Sequence, residues 1–193
     1  MNNEFTRRGL LLGGMALLAS GCTSAARVAQ DGAFRSTPVD PRYRRQRVRY
    51  DGNEAPGVIV VDTRDKFLYF VEGDGWATRY GVGVGREGLT FKGKATIGRK
   101  AVWPSWTPTA NMMKQKPRLV QYAGGVAGGP NNPLGARALY LYRSGKDSMF
   151  RLHGTNEPWS IGQALSSGCV RLLNEDIIHL YDRTPVGTTV LVI

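Results

Sequence analysis

The sequence predicts a mainly β protein, a β-sandwich or closed sheet with one principal α-helix. Gly (25) and Pro (10) are plentiful, which favours a protein with many turns over a helical bundle. From Gly57 onward, short β-branched and aromatic runs alternate with turn residues, and no regular alternation of strands and helices is visible. The 193 residues suit one domain with a full core once the N-terminus is set aside.

The expected strands begin with a hairpin, in which residues 58–62 and 66–71 flank Thr63-Arg64-Asp65. After a turn at 72–75, further strands are expected at 76–84, 94–97, 103–107, 138–142, 149–152 and 188–193. Short helical turns are expected within 160–165 and near 111–116.

The principal helix is expected at about 174–183. Asn174 can cap its first turn, and Glu175 and Asp176 suit the positive end of the helix dipole. His179 lies between apolar neighbours on this helix, so we expect a structural histidine there.

Residues 1–21 read as an export signal. Arg7-Arg8 precedes an apolar run that is too short to span a bilayer, an order that resembles a twin-arginine signal and also fits general secretion. Ala19-Ser20-Gly21-Cys22 resembles a bacterial lipobox, with alanine where leucine is usual. The expectation is lipidation of Cys22 and an envelope or periplasmic, membrane-anchored protein; the alternative is ordinary cleavage near Ala25, which discards Cys22.

Residues 22–56 are expected to form a basic, flexible tether before a domain at 57–193. Five arginines stand close together in it, at positions 42, 44, 45, 47 and 49. With a formal net charge of +11, the chain would attract anionic lipids or wall polymers. Nucleic acid is not an expected partner, because the sequence has no nucleic-acid-binding motif and carries an export signal. The arginines could equally serve only to keep the segment solvated.

Chemistry centres on Cys169 and His153. If Cys22 is lipidated or removed, Cys169 has no internal disulfide partner, and it is then either a small buried hydrophobe or a nucleophile. Arg171 stands two residues away, where a guanidinium can lower the thiol pKa or hold a carboxylate. An imidazole is the usual partner of a reactive thiol, and His153 lies at the end of an expected strand. From the residues alone both interpretations stay open, and no metal-ligand cluster is visible beyond the two histidines.

A resemblance favours the catalytic interpretation. His153-Gly154-Thr155, followed by Ser166-Ser167-Gly168-Cys169-Val170-Arg171, resembles the signature of the L,D-transpeptidase catalytic domain, the YkuD family. The cysteine follows the histidine by 16 residues, and Asn132-Pro133-Leu134-Gly135 resembles the family's turn before its central strands. The likeness covers about 56–193. Many members have histidine where Ser167 stands.

The resemblance implies a role for each residue of the motif. Cys169 would be the nucleophile and His153 the general base and acid, oriented by the backbone carbonyl of Ser167. The N–H groups around Gly168 and Cys169 would bind the oxyanion, and Arg171 would support the pocket or hold a substrate carboxylate. No metal or organic cofactor is implied.

The implied reaction is attack of the Cys169 thiolate on a peptidoglycan stem tetrapeptide, with loss of D-alanine. An amine would then take the acyl group, giving a 3→3 cross-link or attaching a protein to the wall, and carbapenems would acylate the same thiol. Two alternatives stay open: a carboxypeptidase or endopeptidase that uses the same Cys/His site, and a non-catalytic envelope-binding lipoprotein.

Overall fold

The computed structural model describes residues 39–86, 89 and 91–193. Eleven strands form in this part of the chain. They are β1 Gln46–Arg49, β2 Ile59–Asp62, β3 Phe67–Gly73, β4 Trp76–Gly81, β5 Val84–Gly85, β6 Gly93–Val102, β7 Arg137–Arg143, β8 Lys146–His153, β9 Ala164–Ser166, β10 Val170–Arg171 and β11 Thr189–Val192. The α-helices are α1 Ala110–Gln115 and α2 Asn174–Arg183, and short 3₁₀ turns stand at Pro41–Tyr43, Pro117–Tyr122 and Pro158–Ser160.

Nine of these strands form one mixed sheet in the order β1-β4-β3-β2-β11-β6-β7-β8-β10, and β5 pairs with β9 in a small second sheet. Most pairs are antiparallel, but β10 runs parallel to β8 and β11 runs parallel to β2. The large sheet curls on itself, because Arg171 of β10 forms a bridge with Gly83, just after β4. Gly83 N–H donates to the Arg171 carbonyl at 2.9 Å, and Arg171 N–H donates to the Gly83 carbonyl at 2.7 Å.

A single apolar core lies inside the curled sheet and is closed by α2. Side chains from most strands meet there, among them Ile59, Leu68, Ile97, Leu139 and Leu152, all at most 1% exposed. Ile177 and Leu180 of α2 are fully buried against them. Burial of apolar side chains on one face of each strand therefore fixes the register of the sheet that carries the candidate site.

The expected fold class is confirmed: the protein is mainly β with few helices. The hairpin of β2 and β3 and the helix over 174–183 form as predicted, as does the helical turn near 111–116, which is α1. The strand predicted at 103–107 is wrong, because β6 ends at Val102 and only Trp106 forms an isolated bridge. The turn predicted within 160–165 is shifted to Pro158–Ser160, and part of that range is β9.

Asn174 was expected to cap α2 but occupies its first helical position, with Leu173 at the N-cap. Its side chain is used elsewhere. The Ala136 N–H donates to Asn174 Oδ1 at 2.9 Å, and Asn174 Nδ2 donates to the Thr155 carbonyl at 2.8 Å. Asn174 thus ties α2 to the two loops beside His153.

The expected flexible tether is wrong for the arginine-rich segment, residues 41–49. Its residues 46–49, which are β1, pair with β4 over the whole length of the strand and are part of the sheet, and Pro41–Tyr43 forms a 3₁₀ turn before them. The Arg47 and Arg49 guanidinium groups lie over the Trp76 ring, 4.4 and 4.2 Å from its centroid. A tether prediction from charge and missing periodicity fails here because the segment is an edge strand, held by backbone hydrogen bonds and cation–π contacts.

Two side chains fasten this segment to the rest of the domain. Tyr43 packs against Gly81 and Gly162: an added Cβ would overlap the Tyr43 backbone and Cβ at Gly81, and the Tyr43 ring at Gly162. Arg45 Nη1 lies 3.3 Å from Asp176 Oδ1 at the start of α2. Burial raises the pKa of the Asp176 carboxyl to about 7, and Arg45 opposes that rise. Arg45 therefore supplies the countercharge that this buried carboxylate needs.

The export signal, the lipobox and Cys22 lie outside the described residues. Among the residues that the structure describes, none of the helices has the length and apolar character needed to cross a membrane.

Candidate active site

Cys169 stands on a tight turn between β9 and β10. Gly168 has φ +129°, and an added Cβ would lie 2.7 Å from the Leu89 carbonyl oxygen and 2.8 Å from the Phe150 ring. Only glycine fits there. Ser166 Oγ donates to the Cys169 carbonyl at 2.6 Å, which fixes the turn from the other side. The half-buried thiol is 3.9 Å from the Met149 carbonyl, a distance typical of a weak sulfur hydrogen bond.

His153 ends β8, and the parallel pairing of β8 with β10 brings it near the thiol. Arg171 is the register partner of His153, and Val170 is that of Leu152. Because side chains alternate along a strand, His153, Arg171 and Cys169 share one face, while Val170 and Leu152 enter the core. The 15 residues between His153 and Cys169 form the loop and β9 that make this parallel return possible.

The hydrogen bond of His153 defines its tautomer. Nδ1 lies 2.6 Å from the Gly154 carbonyl oxygen, which can only accept, so Nδ1 carries the proton. Burial, and then the charge of Arg171, lower the pKa of His153 to about 3. The imidazole is therefore neutral near pH 7, and its Nε2 lone pair is available to a proton donor.

The structure differs from the expected third member of the triad. The resemblance implied that the Ser167 carbonyl orients the imidazole, but the acceptor of the Nδ1 proton is the Gly154 carbonyl, on the next residue along the chain. Gly154 was quoted in the motif without a role. Its lack of a side chain also matters, because an added Cβ would overlap Asn174 Oδ1.

The oxyanion donor expected at Gly168 is also corrected. The Gly168 N–H already donates to Ser166 Oγ at 3.1 Å. It is therefore engaged within the turn and does not point freely at a reacting carbonyl. Of the two N–H groups that were expected to form the oxyanion site, the one at Cys169 is the remaining candidate.

Arg171 does not make the thiol acidic at rest. Burial raises the pKa of the Cys169 thiol, and the Arg151 and Arg171 charges only oppose that rise. Arg171 Nη1 is 2.7 Å from Glu157 Oε2, an ion pair that neutralises part of its charge. Cys169 and His153 thus rest as a neutral thiol and a neutral imidazole, and a thiolate forms only with proton transfer.

A helical segment over residues 107–125 forms a lid beside this turn. It contains α1 and the following 3₁₀ turn, and its ends are joined by two hydrogen bonds between Trp106 and Val126, at 2.9 and 2.7 Å. Asn132, which is 1% exposed, secures the end of the lid, since its Nδ2 donates to the carbonyls of Val126 and Ala127 at 3.0 Å each. The Asn132-Pro133-Leu134-Gly135 turn therefore fixes the lid.

Between the lid and the nucleophile turn lies a cleft of about 410 Å³. Ser167, Arg171 and Glu157 line one side of it. From the lid and its neighbours come Trp106, Met112, Lys116, Arg118, Leu119, Gln121, Tyr122, Val126, Asn131, Pro133 and Asn156. The sequence did not single out Lys116 or Arg118, because no motif connects the lid to the catalytic stretch.

His179 lies apart from this site, as expected for a structural histidine. Its Nδ1 is 2.8 Å from the Tyr80 hydroxyl, and burial lowers its pKa to about 4. Within the described residues, no group of three or more His, Cys, Asp or Glu side chains is placed to hold a metal ion.

Replacing Asn174 with alanine is expected to lower the free energy of unfolding by about 2–3 kcal/mol, because it leaves the Ala136 N–H and the Thr155 carbonyl without a partner in a buried place. Urea denaturation measures the change. Asn156→Ala is the matched control, since this exposed asparagine makes one bond, to the Asn131 carbonyl. Equal losses in the two variants would contradict the role given to Asn174.

A curled mixed sheet with a thiol and a neutral imidazole on one face of adjacent strands is an arrangement suited to cysteine nucleophiles. A sequence model of the L,D-transpeptidase catalytic domain, YkuD, matches residues 56–192. The chain belongs to this family, and the resemblance stated above is confirmed.

Curated proteins with similar sequences are also named as L,D-transpeptidases. The probable L,D-transpeptidase ErfK/SrfK of Escherichia coli K12 is 36% identical over 70% of this chain and 43% of that protein. The chain thus covers less than half of that relative's length. A putative L,D-transpeptidase of Fuscovulum blasticum, from an ATP synthase subunits region, is 32% identical over 100% of both chains.

Solved structures share the fold. An L,D-transpeptidase from Mycobacterium smegmatis has a TM-score of 0.51 at 19% identity, over 70% of this chain and 58% of that chain. A Brucella melitensis structure described as a probable carnitine operon oxidoreductase has a TM-score of 0.54 at 48% identity, over 78% of this chain and 93% of that chain.

Proposed function

We propose that this protein is a peptidoglycan L,D-transpeptidase of the cell envelope with Cys169 as its nucleophile. The thiolate attacks the carbonyl of the third residue of a stem tetrapeptide, the bond to D-alanine breaks, and a thioester remains on Cys169. An acceptor amine then displaces the thiol and forms a new amide. The observation that carries this proposal is the placement of Cys169 on one face with a neutral His153 whose Nε2 is free to accept a proton.

His153 moves the proton at each step. As Sγ attacks, Nε2 accepts the thiol proton, and the resulting imidazolium donates it to the nitrogen of the departing D-alanine. The same nitrogen then takes a proton from the attacking acceptor amine and returns it to the sulfur. The Gly154 carbonyl keeps the ring in the required tautomer throughout, and we assign the oxyanion to the Cys169 N–H.

A neutral resting pair fits this sequence of steps. The raised thiol pKa and the lowered imidazole pKa disfavour charge separation before substrate is bound. The charges of Arg171 and Arg151 act on both His153 and Cys169. They would therefore also stabilise the negative charge that develops on the substrate oxygen. Catalysis therefore depends on substrate binding to complete the electrostatic environment.

The acyl acceptor decides between related functions. An amine on a second stem gives a 3→3 cross-link, a lysine of an envelope protein gives attachment to the wall, and water gives a carboxypeptidase or endopeptidase. The family of the chain favours an amine acceptor. The Brucella melitensis structure is described as an oxidoreductase. The thiol–imidazole pair of this chain favours acyl transfer instead.

We further propose export and membrane anchoring through a lipid on Cys22, supported by the signal-like sequence of residues 1–21. The non-catalytic alternative, an envelope-binding lipoprotein, would leave Cys169 and His153 without a chemical role. Labelling with radioactive palmitate, compared between the wild type and Cys22→Ser, tests the lipid. A label that persists in the variant would refute it.

Incubation of wall sacculi with the full chain, followed by mass spectrometry of the muropeptides, tests the reaction. We expect new 3→3 dimers and free D-alanine with the wild type and neither with Cys169→Ala. Shortened tripeptides without dimers would assign the hydrolase instead. Products that are identical for the wild type and Cys169→Ala would exclude catalysis by this thiol.

A further inference from the structure

The cleft beneath the lid is strongly cationic. Lys116 and Arg118 of the lid and Arg171 of β10 line it, and Glu157 is the acidic side chain among its lining residues. Glu157 is already paired with Arg171 at 2.7 Å. Two lid cations therefore face a volume of about 410 Å³ without a lining carboxylate of their own.

The charges are close enough to repel one another. Burial, and then the charges of Arg86, Arg118 and Arg171, lower the pKa of Lys116, while Glu157 alone opposes them. Arg86 lies beside the nucleophile turn, where its backbone N–H donates to the Ser166 carbonyl at 3.2 Å. Cations gathered near the turn repel one another less when an anion binds among them.

Arg171 also has unused donor capacity. Its Nη1 holds Glu157, but its buried Nε has no hydrogen-bond acceptor among the residues that the structure describes. A buried guanidinium nitrogen without a partner is costly, and a carboxylate suits a guanidinium because it can accept two bonds at once. The Arg171–Glu157 pair is thus a site at which an incoming carboxylate can compete with Glu157.

We propose that this cleft binds a free carboxylate of the acyl donor, with Lys116 and Arg118 as binding residues that the lid contributes and Arg171 as the third cation. The inference rests on the proposed function and deepens it, since it assigns the side of Cys169 on which the carboxylate-bearing part of the donor lies. Trp106 and Tyr122, whose ring centroids are 6.3 Å apart, give the cleft an apolar wall against which the rest of the donor packs.

The test uses the full chain and a disaccharide tetrapeptide as donor, with release of D-alanine as the readout. For Lys116→Ala/Arg118→Ala we expect KM to rise about tenfold or more while kcat changes by less than about twofold, since each lost charged contact weakens binding. The charge-retaining Lys116→Arg/Arg118→Lys should restore most of the loss. Lys114→Ala is the matched control, an exposed lysine on α1 that does not line the cleft.

Donor analogues identify the carboxylate. A donor amidated at its C-terminus and one amidated on its third residue are compared with the parent peptide. The analogue that lacks the recognised carboxylate should lose at least the factor with the wild type that the parent loses with the double variant, because it also gives up Arg171. Its binding should weaken little further when Lys116 and Arg118 are removed. Losses that multiply for both analogues, or an unchanged KM in the double variant, would overturn the proposal.

Binding to Cys169→Ala, measured by calorimetry, separates this proposal from the proposed reaction. If the wild type releases no D-alanine, the proposed function fails, yet the dissociation constants of the same charge variants in the Cys169→Ala background still test the cleft. We expect donor binding to weaken about tenfold or more on removal of Lys116 and Arg118 and to weaken with added salt. Equal affinity with and without the two cations would overturn it.

Discussion

Replacing Cys169 with alanine is expected to abolish D-alanine release and the covalent adduct with a carbapenem. Without the sulfur no thioester can form, and His153 has no proton to accept at the point of attack. Loss of a nucleophile from a site of this kind costs about 10⁴-fold or more in rate. Intact-mass spectrometry after incubation with a carbapenem, together with an assay of released D-alanine, measures both effects on the full chain.

Cys22→Ser is the matched control, because it removes the other cysteine of the chain and leaves Cys169 in place. It should keep the carbapenem adduct and the rate of D-alanine release in detergent solution. An adduct that persists in Cys169→Ala would show that the acylated group is not this thiol. If the adduct disappears in Cys22→Ser, the acylated thiol is Cys22 and not Cys169.

The second large effect concerns acid stability. The pKa of His153 is about 3 in the folded protein, because the ring is buried beside Arg171, and an exposed histidine in the unfolded chain titrates near 6.5. Between these values the His153 side chain binds more protons in the unfolded state than in the folded state, so its contribution to the free energy of unfolding falls as the pH falls from 6.5 towards 3. The loss is on the order of 4 kcal/mol over this range.

Urea denaturation at pH 7 and at pH 4 measures this loss. His153→Asn should lose about 3 kcal/mol less than the wild type between pH 7 and pH 4, because the contribution of His153 is gone. The variant is less stable at pH 7, and Asp176, whose raised pKa acts in the opposite direction, contributes equally to both proteins. His179→Asn is the comparison variant, because His179 also has a lowered pKa, about 4, but is only partly buried. It should remove a smaller part. A His153 variant that keeps the full difference between the two pH values would show that His153 does not titrate as described.

The sequence was informative wherever the chain makes its structure locally. The β2–β3 hairpin follows from two apolar runs around a polar turn, and α2 from an apolar stripe behind acidic residues. The motif around His153 and Cys169 also needed no coordinates, because residue types and spacing carry it. These features depend on neighbours within about twenty residues.

Features that depend on distant partners could not be predicted in the same way. β1 has few apolar residues and is a strand only because β4 offers it an edge and Trp76 accepts its arginines. Asn174 has the residue type of a helix cap, but its side-chain amide instead forms hydrogen bonds with the backbone of two buried loops. The Gly154 carbonyl took the place assigned to Ser167 because a rotamer of His153, invisible in a sequence, decides which carbonyl it meets.

The position of β1 also limits how far the domain can lie from Cys22. The family match begins at residue 56, but the described structure already has an ordered element at Pro41–Tyr43, so at most the residues between Cys22 and Pro41 could act as a tether. With the proposed lipid on Cys22, the intervening residues cannot extend beyond roughly 60 Å. If the proposed lipid is present, this length would confine the catalytic cleft to the layer of wall nearest the anchoring membrane, and distance from the membrane would help to determine which substrates the protein reaches.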